Sequence, residues 1–197
     1  MSAGFFHSYH LGWTRLDAAT LLGDLEAEGL RSAHPVTGRT VLVSLDHPSS
    51  GARSPVTREQ FLSLSGLQRL QEVGFRLWVD EGPDLLVRIR RARGGVVAVE
   101  FSVGELPTVE RERAVGAIGR SVGRASLLCI GFVVDRSGAT AGTDWDGVVI
   151  EGSAPLGPWP DAVAVREEIA AGHPQLTAVE SVAISPWRVF GSAVPSL

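Results

Sequence analysis

The sequence predicts an α+β fold, a mainly antiparallel sheet of about five strands flanked by helices, with an N-terminal helix–strand extension. Three observations carry this. From residue 57 the chain reads as α-β-β-β-α-β-β-α. The first three of those strands are joined by two short turn sequences, which makes a meander. The run 127–134 is apolar almost throughout, as a central strand buried on both faces should be.

Taken in order, the first helix is expected over 15–28. Thr14 is its N-cap with Asp17 three residues on, Ala18, Leu21, Leu22 and Leu25 form its apolar face, and Gly29 fits its C′ position. A short strand follows over 40–45. The Pro-, Ser- and Gly-rich stretch 46–56 then marks the best internal boundary. It divides an extension, 1–50, from the α+β body, 51–197. Fifty residues make a poor independent core, so one cooperative domain is expected.

The second helix has the clearest start signal. Thr57-Arg58-Glu59-Gln60 is a capping box, Val56 can staple on Phe61, and Phe61, Leu64, Leu67 and Leu70 make the inner face. Strand 75–80 alternates Phe75, Leu77 and Val79 with Arg76, Trp78 and Asp80. Glu81-Gly82-Pro83-Asp84 is turn chemistry. Leu85, Val87 and Ile89 then alternate with Leu86, Arg88 and Arg90, and Arg93-Gly94-Gly95 turns the chain into strand 96–103.

Pro107 opens a third helix with Val115, Ile118 and Val122 on its buried stripe. After the apolar strand, 146–151 is expected as a strand. Asp161 is expected to cap a helix running to about residue 171, and short strands near 177–184 and 187–190 close the chain. The predicted core comprises Leu25, Phe61, Leu64, Leu77, Val87, Ile89, Val99, Phe101, Ile118, Val122, Leu128 and Ile130.

Composition narrows the function classes. The formal net charge is −4, which weighs against a sequence-independent nucleic-acid binder. All 18 basic residues are Arg and the chain has no Asn. Because Lys and Asn codons are A/T-rich, this points to a G+C-rich bacterial genome before it points to phosphate recognition. The single cysteine, Cys129, lies in an apolar run and reads as a buried structural thiol. No signal peptide and no bilayer-spanning run is evident, so a cytoplasmic location is expected.

Three clusters are candidates for chemistry or binding. His7 and His10 have the i,i+3 spacing that aligns two imidazoles on a helix, half of a metal site, with no further ligand nearby in sequence. An N-terminal segment docked through its aromatics is the plainer reading. Asp144-Trp145-Asp146 opens the expected strand 146–151. Extended, its two carboxylates share a face and can hold a cation or act as an acid–base pair. A loop that turns through Asp and anchors on Trp145 is the plainer reading. Arg88, Arg90, Arg91 and Arg93 form the one dense basic cluster, with Arg76 and Trp78 on the paired strand. Such a face can stack bases or receive an acidic partner, or be a solvated edge hairpin.

No G-x-G-x-x-G lies between a strand and a helix, and no G-x-S-x-G elbow exists. His34, His47 and His173 each precede a Pro, which places them in loops, exposed.

Two resemblances are local or coarse. Residues 14–46, a helix ending in Leu25-Glu26-Ala27-Glu28-Gly29-Leu30 followed by Gly38-Arg39-Thr40-Val41-Leu42-Val43, resemble the latter half of a MarR-type winged helix. That resemblance implies DNA binding. The two preceding helices are missing, and Asp24, Glu26 and Glu28 would repel phosphate. The element order from residue 57 resembles that of type III secretion chaperones, which implies a non-enzymatic protein binder, usually dimeric.

The expectation is therefore a non-enzymatic protein-binding module of chaperone, adaptor or immunity type. It uses a sheet face with Trp78, Arg88, Arg90, Asp144, Trp145 and Asp146 as binding residues, a protein partner, a possible homodimer, and no cofactor, metal or membrane. The alternatives are a small-molecule enzyme or binder with a pocket near Asp144 and Asp146, and DNA binding through 14–46.

Overall fold

A computed structural model describes residues 4–44, 53–66, 71–125 and 128–191. The strands are β1 (Phe5–His10), β2 (Leu30–Arg31), β3 (Thr40–Val43), β4 (Arg53–Val56), β5 (Glu72–Val79), β6 (Asp84–Arg91), β7 (Val97–Ser102), β8 (Cys129–Asp135), β9 (Ala162–Arg166), β10 (Val182–Ile184) and β11 (Trp187–Phe190). The helices are α1 (Arg15–Ala27), α2 (Arg58–Ser65), α3 (Thr108–Arg124) and α4 (Glu167–Gly172). All strands join one sheet in the order β10-β11-β9-β8-β1-β7-β6-β5-β3-β4, with β2 also on β5, and every pairing described is antiparallel. The fold class is α+β as the sequence predicts, but with eleven strands in place of about five.

The extra strands are informative. β1 lies between β7 and β8 and joins the two halves of the sheet. Its sequence, Phe5-Phe6-His7-Ser8-Tyr9-His10, has no clean alternation of apolar and polar residues because both of its faces are covered. The metal spacing of His7 and His10 depends on a helix and so does not arise. Along a strand, positions three apart point to opposite faces.

The expected strand 146–151 is helical instead, a π-type turn over Gly147–Glu151. Asp144 Oδ1 accepts from Gly147 N at 3.1 Å, a side-chain cap that starts this turn. The expected helix from Asp161 to about residue 171 forms only in its second half, as α4, while its first half is β9. Asp161 accepts from Arg136 N at 2.6 Å and caps no helix.

The meander, α1 with its Thr14–Asp17 capping box, and the start of α2 at Thr57–Gln60 form as predicted, but α2, expected to run to Gly74, ends at Ser65 with Gly66 as its cap, and Gly74 belongs to β5. Leu67, Leu70 and Leu127 lie outside the described residues, as do residue 45 and the first part of the expected loop, 46–52; its last four residues are not loop but β4, paired with β3.

Packing follows the pleat. On one face a single cross-strand row runs Ala162, Val134, Phe6, Phe101, Val87, Phe75, every member at most 1% exposed. The helices α1, α2 and α3 contribute Leu22, Leu25, Phe61, Ile118 and Val122 to the core on this face. Each such side chain stabilises the fold by about 1.5–3 kcal/mol through burial. Two expected core residues differ. Leu64 is half-buried, and Leu128 precedes β8 and is 40% exposed.

Outside this layer, Arg124 and Arg120 of α3 pair with Asp24 and Glu28 of α1. Those carboxylates are committed to holding two helices together. Among the described residues no helix is long and apolar enough to cross a membrane.

Candidate functional site: the charged half of a sheet face

The second face of the sheet changes character halfway along. One row runs Phe190, Val163, Val133, His7, Glu100, Arg88, Gly74, apolar up to β8 and polar from β1 onward. Over the apolar half lie the π-type turn, α4 and their loops. Trp145, Val148, Val149 and Leu156 pack there on Val133, Val163 and Val165. Gly131 of β8 permits the close approach, since a Cβ there would sit 2.7 Å from Val149 Cγ1 and 2.4 Å from Ala164 O. This cover ends at Asp146.

Beyond it, β5, β6 and β7 present a chain of ion pairs. Arg88 bonds Glu72 of β5 through Nε at 2.8 Å and lies 3.6 Å from Glu100 of β7. Glu100 accepts from Arg90 Nε at 2.5 Å. Arg90 then donates both terminal nitrogens to the two oxygens of Asp146, each at 2.7 Å. The order is Glu72, Arg88, Glu100, Arg90, Asp146. The Arg88 side chain is 40% exposed, whereas those of Glu100 and Asp146 are each 15% exposed. The bidentate geometry is the strong form of an Arg–carboxylate contact.

Electrostatics follow from the pairing. Burial works to raise the Asp146 pKa, but the Arg90 hydrogen bonds and charge outweigh it and hold the carboxyl below the ordinary range. The Asp146 hydrogen bond in turn raises Arg90. On β1 beside this chain lie His7 and Tyr9. Among the described residues the His7 Nδ1 is buried without a hydrogen-bond partner, and the buried Tyr9 hydroxyl lies beside the Asp146 carboxylate. Burial lowers the His7 pKa to about 4, against the opposing pull of Glu100. Burial, then the neighbouring Asp146 charge, raises Tyr9 well above its usual value.

The structure brings together Arg88, Arg90 and Asp146 from the sequence-based set and separates the rest. Asp144 bonds Arg93 at 3.1 Å, and Arg93 also reaches Glu151 at 3.0 Å. Trp145 is 4% exposed, and its Nε1 donates to Thr140 O at 3.2 Å. Trp78 is 6% exposed beneath the His34 ring, 5.1 Å away, so it offers no free stacking surface beside the arginines. His173, expected in an exposed loop, is 2% exposed, and its Nε2 bonds Ala154 O at 2.9 Å. His47 lies outside the described residues.

A cavity of about 390 Å³ adjoins Asp144 and is lined by Thr140, Thr143, Pro155, Leu156 and Pro158 among others. Asp146 is not among its lining residues. The two carboxylates turn to separate arginines and do not act as a pair. Among the described residues no group of three or more His, Cys, Asp or Glu side chains is placed to hold a metal ion.

Sequence reasoning singled out His7 only as half of a metal site, and it missed Tyr9, Glu72 and Glu100. The hairpin register about Arg93-Gly94-Gly95 places Glu100 opposite Arg88, so that residue had a signal. It also missed Asp135, which organises the loop 137–143. Asp135 accepts from the backbone of Ser137 (3.0 Å), Gly138 (2.8 Å) and Thr140 (2.6 Å) and from both hydroxyls. Burial opposes its ionisation, but these bonds prevail and lower its pKa. The signal was an Asp at a strand end followed by Ser-Gly.

No family model matches the sequence. No curated protein matches it. Two similar solved structures come from Pseudomonas aeruginosa. One is the toxic C-terminal tip of CdiA in complex with immune protein, at TM-score 0.35 and 17% identity over 70% of this chain and 88% of that one. The other is a T6SS protein, at TM-score 0.48 and 10% identity over 97% of this chain and 65% of that one. At these scores neither likeness carries an argument about what this chain does.

Proposed function

We propose that this chain is a non-enzymatic protein-binding module that engages its partner through the charged half of the sheet face. One observation carries the reading. The ion-pair chain links Glu72 of β5, Arg88 and Arg90 of β6 and Glu100 of β7 to Asp146 at the edge of the covering segment, with Arg88 at 40% exposure near its open end. Strands about 4.8 Å apart spread these charges along a flat row and do not converge them on one reacting atom. A flat row suits a protein surface, whereas small molecules are gripped in concave sites. Side chains already fixed by mutual pairing lose less freedom on binding. Complementary charge on the partner then supplies specificity and register.

Chaperone, adaptor and immunity-type roles are finer versions of this proposal, as are a cytoplasmic location and a homodimer through the same face. The test is capture from native lysate with Arg88→Ala as the control. The expected result is a protein retained by the wild type and lost by the variant, with the melting temperature little changed. Retention of the same protein by both would sink the reading.

A second reading, a small-molecule site, rests on the cavity beside Asp144. It requires a ligand whose thermal stabilisation disappears with Asp144→Asn. Screening a small-molecule library by thermal shift tests it.

A further inference from the structure

The two ends of the sheet are built differently. At one end β4 carries Arg53, Ser54 and Pro55, of which Pro55 lacks an N–H and Arg53 is exposed. Those are the devices that discourage another strand from adding to an edge. At the other end β10 is Val182-Ala183-Ile184, with neither charge nor proline. Val182 is 58% exposed, and no described strand lies beyond β10.

Beside this edge, short but without charge or proline, is a cavity of about 240 Å³, lined by Leu176, Val179, Ser181, Arg188 and Phe190 among others. Leu176 and Phe190 are at most 3% exposed and Val179 is 39% exposed, so the cavity has an apolar floor and an apolar lip. The cross-strand neighbour of Arg188 on β10 is Ala183, whose small side chain leaves the way from edge to cavity open. The surroundings are acidic. Arg188 is neutralised by Glu167 at 2.7 Å, while Glu180, between the lining residues Val179 and Ser181, is exposed.

We infer that β10 is a docking edge for an extended segment of a partner protein, one that adds as a further antiparallel or parallel strand. Its chemistry is set by the edge. It carries an apolar side chain at a position that reaches the cavity and a basic residue at its flank to meet Glu180. Main-chain hydrogen bonds supply the attachment, and alternate side chains supply the selectivity. The inference rests on the protein-binding reading but uses a different surface. Arg88→Ala leaves it intact, so the two fail separately.

The probe is a fluorescently labelled eight-residue peptide of alternating Val and Thr with Arg at both ends, titrated with the full chain and read by anisotropy. The expected result is saturable binding that weakens about tenfold or more with Ala183→Pro, equivalent to roughly 1.4 kcal/mol. Since Ala183→Pro can perturb folding, a second peptide N-methylated at alternate amides is titrated against the wild type. It keeps every side chain, loses the donors, and is expected to bind as weakly. Glu180→Arg is expected to weaken the basic peptide and spare one with Ser in place of Arg. Equal binding of the methylated peptide would overturn the inference. So would the absence of binding by the wild type, or concentration-dependent dimerisation that competes with the peptide, which would assign the edge to a second copy.

Discussion

The second face of the sheet offers two halves on one continuous set of antiparallel strands. Over β8 and β9 the inward row is Val133, Val163 and Val165, and the segment carrying Trp145 and Val149 is laid down on it. Over β5 to β7 the same row continues as Glu100 and Arg88. The backbone is the same kind in both. The difference is that valines must be covered to leave water, whereas charges that satisfy one another can remain at the surface. Asp146 sits at the seam, the last residue before the π-type turn and the partner of Arg90. The covered half holds the fold together, and the proposed recognition surface is the charged half.

Four substitutions break or sharpen this contrast. The largest effect is expected from Trp145→Ala, which empties the centre of the covered half. A loss of about 3–5 kcal/mol follows from large-to-small replacement in a core, checked by urea unfolding. If the loss is under about 1 kcal/mol, the covered half does not hold the fold.

Next comes the acid limb. His7 has a folded pKa of about 4 against an ordinary 6.5, so below pH 6.5 the unfolded chain takes up a proton that the folded chain refuses. The stabilisation is complete above pH 6.5 and is lost as pH falls toward 4, on the order of 3 kcal/mol for this one group. His10, also lowered by burial to about 4, contributes in the same direction. His7→Gln is expected to flatten stability between pH 6.5 and 4 relative to wild type. An unchanged slope in chemical denaturation across that range would contradict the burial of His7.

A smaller effect is expected at the seam. Asp146→Asn leaves Arg90 with Glu100 alone and should cost about 1–2 kcal/mol, discounted for partial exposure. The sign with pH is the carboxylate one. Asp146 is lowered, so its contribution is present above the unfolded value of about 3.9 and is lost as pH falls through the folded one. Wild type and variant should therefore converge in stability as pH falls below that lowered folded value.

The smallest stability effect is expected from Arg88→Ala, under about 1 kcal/mol, because its side chain is 40% exposed. Its effect on partner retention should nonetheless be large. A calorimetric melt run beside the capture experiment separates the two.

How much of this was legible follows the same division. The meander was readable because Leu85, Val87 and Ile89 alternate with Leu86, Arg88 and Arg90, the period of a strand with one apolar face. The capping boxes at Thr14 and Thr57 were readable because the bonds are local. β1 was not, because a strand covered on both faces has no alternation, and its partners Glu100 and Val133 lie more than ninety residues away. The helical turn after Asp146 was misread because Val148, Val149 and Ile150 favour strands in isolation, while the Asp144 cap and the packing on Gly131 decide otherwise. Of the site, the arginines were visible as a cluster. Their carboxylates were not assigned, since the Arg90–Asp146 contact spans 56 residues.

The central claim is tested most directly by arginine-selective footprinting of the free chain and of its complex with the captured partner. Arg88 on the charged half and Arg120 and Arg124 on the helix-covered opposite side have nearly equal side-chain exposure, 40%, 43% and 43%. The free protein should therefore label all three to a similar extent. The account predicts that the partner protects Arg88 and leaves Arg120 and Arg124 labelled as before. Protection of Arg120 and Arg124 with Arg88 still reactive would contradict it.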